Sequence, residues 1–459
     1  MLFRSAAATG GALRFDAKTD MTGVDLRPGA LLDKRPGQTF TLDTAGTYQP
    51  ANGKAPLKVD LSRLALAVRE YTMTGTASVA MAGQAPKQST TFSLALKSPR
   101  LNADELLIKS EEPAQETKPA PTEDPQRFNG MRGDVRLEIG SLRMSEMDFT
   151  HMVAELKMVD DLITVERFTT GVYGGTVSAS GSSVRLGPPS TQRPFVLKAE
   201  AKGLDMEQAL TTRVPKKVLG GKFDGQMDLQ GVGYETQSLQ ERMAGAIEGN
   251  LAGGVFFGTD VLSAVTGPLA RALPIKGKEL SDENLTKLAD QLPFSLQIKD
   301  GVAQLSKPLT WTRPEAAMSF SGGLRLDGEL DLTGSVNLAP PLITTLTLGK
   351  VTPPEPLPLA MKLTGKAWSP EVTELDVKPA ALSLAKLAAV NVATGLLGEK
   401  GKAVGNIITG GTAAAKQAAQ AEADKRKQEL EERARQEAEA ARKKAEQKAK
   451  DKLKGLFGR

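Results

Sequence analysis

A period of two constrains this chain more than any other feature. Between Leu292 and Leu338 the sequence reads LPFSLQIKDGVAQLSKPLTWTRPEAAMSFSGGLRLDGELDLTGSVNL, and apolar and polar residues alternate along it. Phe294, Leu296 and Ile298 fall on one side of the alternation; Ser295, Gln297 and Lys299 fall on the other. Leu324 and Leu326 repeat the pattern, as do Leu330 and Leu332, then Val336 and Leu338. Successive side chains of a strand point to opposite faces, so such a run gathers its apolar residues on one side only if it is extended. Asp300-Gly301 and Asp327-Gly328 stand between the runs, and Asp-Gly accepts the positive φ angles of a tight hairpin. The stretch predicts a meander of antiparallel strands. Its apolar face needs a cover: a second sheet, helices or a ligand.

The same pattern extends toward the N-terminus. Residues 1–109 read as strands, with alternation at Leu64, Leu66 and Val68. Three segments share a form: Leu13–Leu32, Phe92–Leu107 and Phe195–Leu210 each read as a strand, then Asp or Asn, then a short apolar helical turn. Asp and Asn suit an N-cap, and recurrence points to repeated strand-to-helix units. Residues 110–128 are rich in Pro, Glu and Thr, lack an apolar pattern and read as a linker. Strands resume from residue 129, and Tyr173-Gly174-Gly175 predicts a bend. Helices are expected at Ser238, where Ser238 and Glu241 form a capping box, over Asp260–Leu273, and over Ser281–Leu292. Ala380–Leu397 reads as a packed or surface amphipathic helix. Residues 398–459 form a charged tail rich in Ala, Glu and Lys, without the apolar a/d stripe of a coiled coil. A solvated helix laced by i,i+4 ion pairs is the expectation there.

Composition excludes much chemistry. The chain has 459 residues, no Cys and one His. Disulfides, thiolate catalysis and Cys-ligated zinc are ruled out, and no metal site or cofactor is expected. The net charge is +5; from Ala413 onward 14 basic and 9 acidic residues also give +5, so the body is formally neutral. A neutral body gives no reason to expect nucleic acid as a partner. Ser383-Leu384-Ala385-Lys386 has the S-x-x-K spacing but none of its companion motifs, and no Gly-Lys pair has the spacing of a P-loop. His151 reads as a strand histidine, and Asp160-Asp161 as turn residues. No catalytic residue is assigned and no enzyme is expected. The first residues hold no apolar run long enough for a signal or a span, so any export signal or anchor is expected upstream of Met1.

Against that background the order of the pieces resembles a known family. RGDVRLEIGSLRMSEMDF leads to Val172-Tyr173-Gly174-Gly175, then FVLKAEAKGLDMEQAL and GGKFDGQMDLQGVG. SLQERMAGAIEGNLAGGVFFGTDV, the opening meander and LPLAMKLTGKAWSPEV follow. From Gly130 to about Leu397 this resembles the C-terminal region of AsmA-like proteins, and residues 1–109 look like an earlier part of the same architecture. The resemblance implies a mainly β fold, a long curved antiparallel sheet forming an apolar groove, with a few short helices. It implies the periplasm of a bacterial envelope, association with the inner membrane, and a part in outer-membrane lipid homeostasis. Phospholipid, membranes and other envelope proteins are the implied partners. On that reading Phe294, Leu296, Ile298, Leu324, Leu326, Leu330, Leu332, Val336 and Leu338 line the lipid groove. The bottom-up alternative is that the predicted helices cover the same residues as a packed core.

Overall fold

Alternating sequences with glycine-rich turns build strand after strand here. The computed structural model describes residues 2–7, 11–25, 33–52, 55–83, 89–107, 127–212, 216–233, 238, 241–273 and 284–397. The chain divides into two compact units. The first comprises Met1–Thr266, Ser281–Leu338 and Pro358–Asp376; the second comprises Gly267–Leu280, Ala339–Leu357 and Val377–Arg459.

The first unit holds a sheet whose strands join hairpin to hairpin. β1 (Leu2–Ala7), β2 (Leu13–Asp20), β3 (Phe40–Gln49), β4 (Leu57–Val68), β5 (Tyr71–Ala82) and β6 (Ser89–Asn102) pair in order, each antiparallel to the next. β7 (Met131–Met144) then lies parallel to β6, with Thr90 opposite Met131 and Asn102 opposite Arg143. Antiparallel pairing resumes through β8 (Met147–Val159) and β9 (Leu162–Val172). β10 (Gly175–Ala179) and β11 (Ser182–Arg185) bridge β9 to β12 (Pro194–Asp205). β13 (Leu219–Val232), β14 (Ala244–Phe257), β15 (Leu285–Lys287), β16 (Gln291–Lys299) and β17 (Val302–Leu305) follow. β19 (Ala316–Arg325) pairs with β17, with β18 (Leu309–Thr312) and with β20 (Glu329–Leu338). β21 (Leu357–Lys366) and β22 (Ser369–Thr373) form the final described hairpin, and all 22 described strands belong to one sheet.

The mainly β expectation holds, with one correction: the sheet is mixed. Parallel pairing of β6 with β7 requires the chain to travel back the length of a 14-residue strand, about 46 Å. A hairpin cannot do this. The return falls in the segment that contains the Pro/Glu-rich stretch, most of which lies outside the described residues. Strands on both sides of that stretch therefore share one sheet.

Local chemistry explains the junctions. Asn102 caps the short helix α1 (Ala103–Leu106) by accepting from Asp104 N at 3.1 Å, and Asp205 caps α2 (Met206–Thr211) by accepting from Gln208 N at 3.1 Å. These are two of the three expected strand-to-helix units; the helical part of the third, in Leu13–Leu32, lies outside the described residues. Asp104 also accepts from Ser145 N and Glu146 N, at 2.6 and 2.8 Å, in the β7–β8 turn where both residues have positive φ. One carboxylate thus ties the parallel junction together. Asp300-Gly301 forms the expected tight turn, with φ of 50° and 76° and Lys299 opposite Val302.

Helix α3 (Val261–Ala272) matches its expected span. Asp260 accepts from Ser263 N at 3.1 Å and from Ser263 Oγ at 2.6 Å at its start. Ser238, Glu241 and Arg242 are helical, as the capping box predicts. The helix expected over Ser281–Leu292 is corrected: Leu285–Lys287 is strand β15, and Leu292 belongs to β16. Pro293 disfavours helical geometry at Leu292, and the free edge near Val255–Phe257 takes up Leu285–Lys287 instead. In the second unit, α4 (Pro340–Leu346) buries Leu342, Ile343 and Leu346, and α5 (Lys378–Leu397) buries Ala380, Ala381 and Leu384. The charged tail from residue 398 lies outside the described residues. No described helix is long and apolar enough to cross a membrane.

Candidate functional site

Register decides which side chains share a face, because residues directly opposite on paired strands point the same way. Leu61, Ala77, Leu94, Val135, Leu156 and Val165 stand opposite one another in turn across β4 to β9. A second row runs Leu197, Leu229, Gly245, Ile298, Ala303, Leu324 and Leu330 from β12 to β20. One face is therefore apolar from row to row, with Leu, Val and Ala as its main residues.

The other face is charged. Arg63 bridges Asp16 and Asp43, at 2.9 Å each. Glu138 takes Lys97 at 2.8 Å and Arg136 at 2.9 Å, and Arg136 reaches Glu155 at 3.1 Å. Lys198 pairs with Asp228 at 3.3 Å. Hydrogen bonds from Lys97 and Arg136 hold the Glu138 carboxyl below its usual range, and the bonds to Asp16 and Asp43 raise the Arg63 guanidinium. Exposed pairs of this kind are screened by solvent and add little to stability. Their physical role is to keep this face wet and the register fixed.

The apolar face is unevenly closed. Phe92, Leu94, Leu96, Val135, Leu137, Leu156, Met227 and Ile247 are only half-buried, and Leu197 is exposed. Small buried clusters interrupt this openness: Phe40, Val68, Tyr71 and Leu106 at one place, Leu229, Ile298 and Ala303 at another. In the first cluster burial, then the hydrogen bond to Glu105, pushes the Tyr71 hydroxyl up to about 12. Around β18–β20 the same face is shut. Phe320 is 1% exposed, and Val336 and Leu338 are 0% exposed. Trp311 stacks on Phe320 there, with ring centroids 5.6 Å apart.

The nine residues expected to line a groove fall into three groups. Phe294, Leu296, Leu324, Leu330 and Leu332 are half-buried on the apolar face. Ile298, Val336 and Leu338 are on that face but closed to solvent. Leu326 is not in a strand: it lies in the β19–β20 turn, its N–H donating to Gly301 O at 2.8 Å. The pattern at Leu324 and Leu326 looks continuous in sequence because the turn at Asp327-Gly328 begins one residue before its Asp. Sequence reasoning also missed the open residues of β5–β9 and β12–β14, although their alternation is visible.

Depressions exist on the charged face too. One of about 580 Å³ is bordered by Arg167, Lys198, Glu200, Asp228 and Glu248, whose mixed charges converge on no common ligand. Another borders His151, which is exposed and has a φ of 50° at a β8 irregularity. No group of three or more metal-ligating side chains occurs among the described residues.

No curated protein and no solved structure matches the chain significantly. The model of the AsmA family matches residues 8–306, more than half of the chain, from the N-terminal strands through β17. The chain belongs to the AsmA family.

Proposed function

We propose that this chain is a non-enzymatic protein that binds phospholipid by its acyl chains on the apolar face and passes it between the inner and outer membranes, in support of outer-membrane biogenesis. AsmA proteins are generally non-enzymatic and belong to the bacterial envelope, which supplies both membranes. The observation that carries the reading is the apolar row from Leu61 to Val165, half-buried strand after strand and backed by an ion-paired outer face. An acyl chain on such a face gains roughly 0.8 kcal/mol per buried methylene. About ten methylenes match the cost of association, ~4–15 kcal/mol, without any polar anchor. Acyl binding of this kind calls for no residue-specific chemistry.

Native mass spectrometry of protein purified without detergent tests this. Co-purified phospholipid, lost in Leu296→Asp and Leu332→Asp, is the expected result. Protein that is lipid-free and takes up no labelled lipid contradicts it.

A second reading has its own observation. Among the described strands β1 pairs with β2 alone, which leaves one edge for strand addition by another envelope protein. A partner recovered in a pull-down, lost on placing Pro in β1 and kept in Leu296→Asp, favours that reading.

A further inference from the structure

Glycine inside a strand costs roughly 0.5–1 kcal/mol relative to Ala, so a recurrent strand glycine needs a reason. On the apolar face the reason is a ring. Phe92 of β6 stands opposite Gly133 of β7, and a Cβ on Gly133 would lie 2.5 Å from the Phe92 ring. Phe195 of β12 stands opposite Gly231 of β13, and a Cβ there would lie 2.7 Å from the Phe195 ring. Phe223 stands opposite Leu251 and reaches diagonally over Gly249 of β14, and it stacks on Phe294 at 5.9 Å. Each ring leans over a bare backbone on the neighbouring strand. None of these three glycines has a positive φ, and at Gly133 and Gly231 the atoms crowding an added Cβ belong to the ring; at Gly249 the backbone oxygen of Asp224, at 3.1 Å, would crowd it too. Gly133 is buried beneath its ring, whereas all three rings remain half-buried.

We propose that Gly133, Gly231 and Gly249 are clearance residues, each letting a phenyl ring lie down over the sheet so that an acyl chain can slide across it. A ring lying flat adds one van der Waals layer, about 3.5–4 Å, to the height of the face. A methyl group in place of the glycine hydrogen lifts the ring into the lipid path. The device rests on the lipid reading above and gives it a position-specific consequence: Ala, which a strand ordinarily prefers to Gly, obstructs transport at these sites.

The test is transfer of fluorescent phosphatidylethanolamine between vesicles of phosphatidylethanolamine and phosphatidylglycerol by the full chain. Gly133→Ala is expected to slow transfer at least fivefold while its thermal unfolding midpoint is unchanged or higher. Gly133→Ala combined with Phe92→Leu is expected to return within twofold of the wild type, because the ring that was lifted is gone. If Gly133→Ala lowers the unfolding midpoint, Gly231→Ala with Phe195→Leu is the second test, with the same expectations. Wild-type transfer left intact by the Ala variants overturns the inference alone, as does a loss that the Leu partner fails to restore. A wild type that neither loads nor transfers lipid overturns the lipid reading and this inference with it.

Discussion

Leu94 and Leu338 sit on the same apolar face, in strands of the same alternation, but in opposite surroundings. Leu338 is 0% exposed, among Ala316, Met318, Phe320 and Val336, all nearly closed. Leu94 is half-buried between Ala77 and Val135, and neither buried cluster found among the described residues includes it. The boundary can be followed within one strand: on β20, Leu330 and Leu332 are half-buried, while Val336 and Leu338 are enclosed. Alternation alone thus creates an apolar face, whereas packing decides whether it becomes core or remains available. The closed region holds the fold; under the proposed function, the open region is the surface offered to lipid.

That contrast is open to direct attack. Leu338→Ala is expected to cost roughly 2–5 kcal/mol, as buried leucines do. Leu94→Ala should cost about 1 kcal/mol or less, since its methyls already meet solvent. Denaturant unfolding compares them, and equal costs would erase the distinction between the regions. A second probe concerns ligand more than stability. Leu94→Asp should leave the chain folded by circular dichroism and cut its lipid load severalfold, whereas Ser93→Asp, on the charged face, should leave the load unchanged.

The parallel junction offers a smaller effect. Asp104→Ala removes the acceptor for Ser145 N and Glu146 N, and its expected cost is about 1–2 kcal/mol. Hydrogen exchange at those two amides should quicken while exchange in β19 and β20 stays unchanged. The smallest effect is that of pH. Glu138 is held low chiefly by Lys97 and then Arg136, and Asp327 chiefly by Glu329 N, with Arg325 adding to it. Carboxyls whose folded pKa is depressed contribute stability above their unfolded pKa and lose it as pH falls through the folded value. The charged face should therefore weaken only below the ordinary carboxylate range, near pH 4. Thermal scans from pH 7 down to pH 3 should show a flat midpoint that declines at the acidic end.

Much of this architecture can be read from residues. Alternation locates the strands, Asp300-Gly301 locates a turn, and Asp260 with its apolar spacing locates α3. Local signals carry such information because they depend on neighbours in sequence. The parallel pairing of β6 with β7 is hidden, since it depends on where a 28-residue connection returns the chain. Leu285–Lys287 has helical spacing but becomes strand β15 because a sheet edge stands beside it. At the candidate site, Leu332 and Leu338 look alike in sequence; their different burial is a tertiary fact with no local signature. The glycine beneath Phe92 is equally silent, because its partner lies across a parallel pair 41 residues away.

Whether lipid lies on one face of the open strands can be read by photo-crosslinking, with a photoreactive amino acid placed singly at positions 92 to 97 of β6 in protein loaded with phospholipid. Crosslinks are expected at 92, 94 and 96 and none at 93, 95 and 97, the same period of two that organises the sequence. Crosslinking at every position, or at none with lipid bound, would show that the apolar face is not where lipid binds.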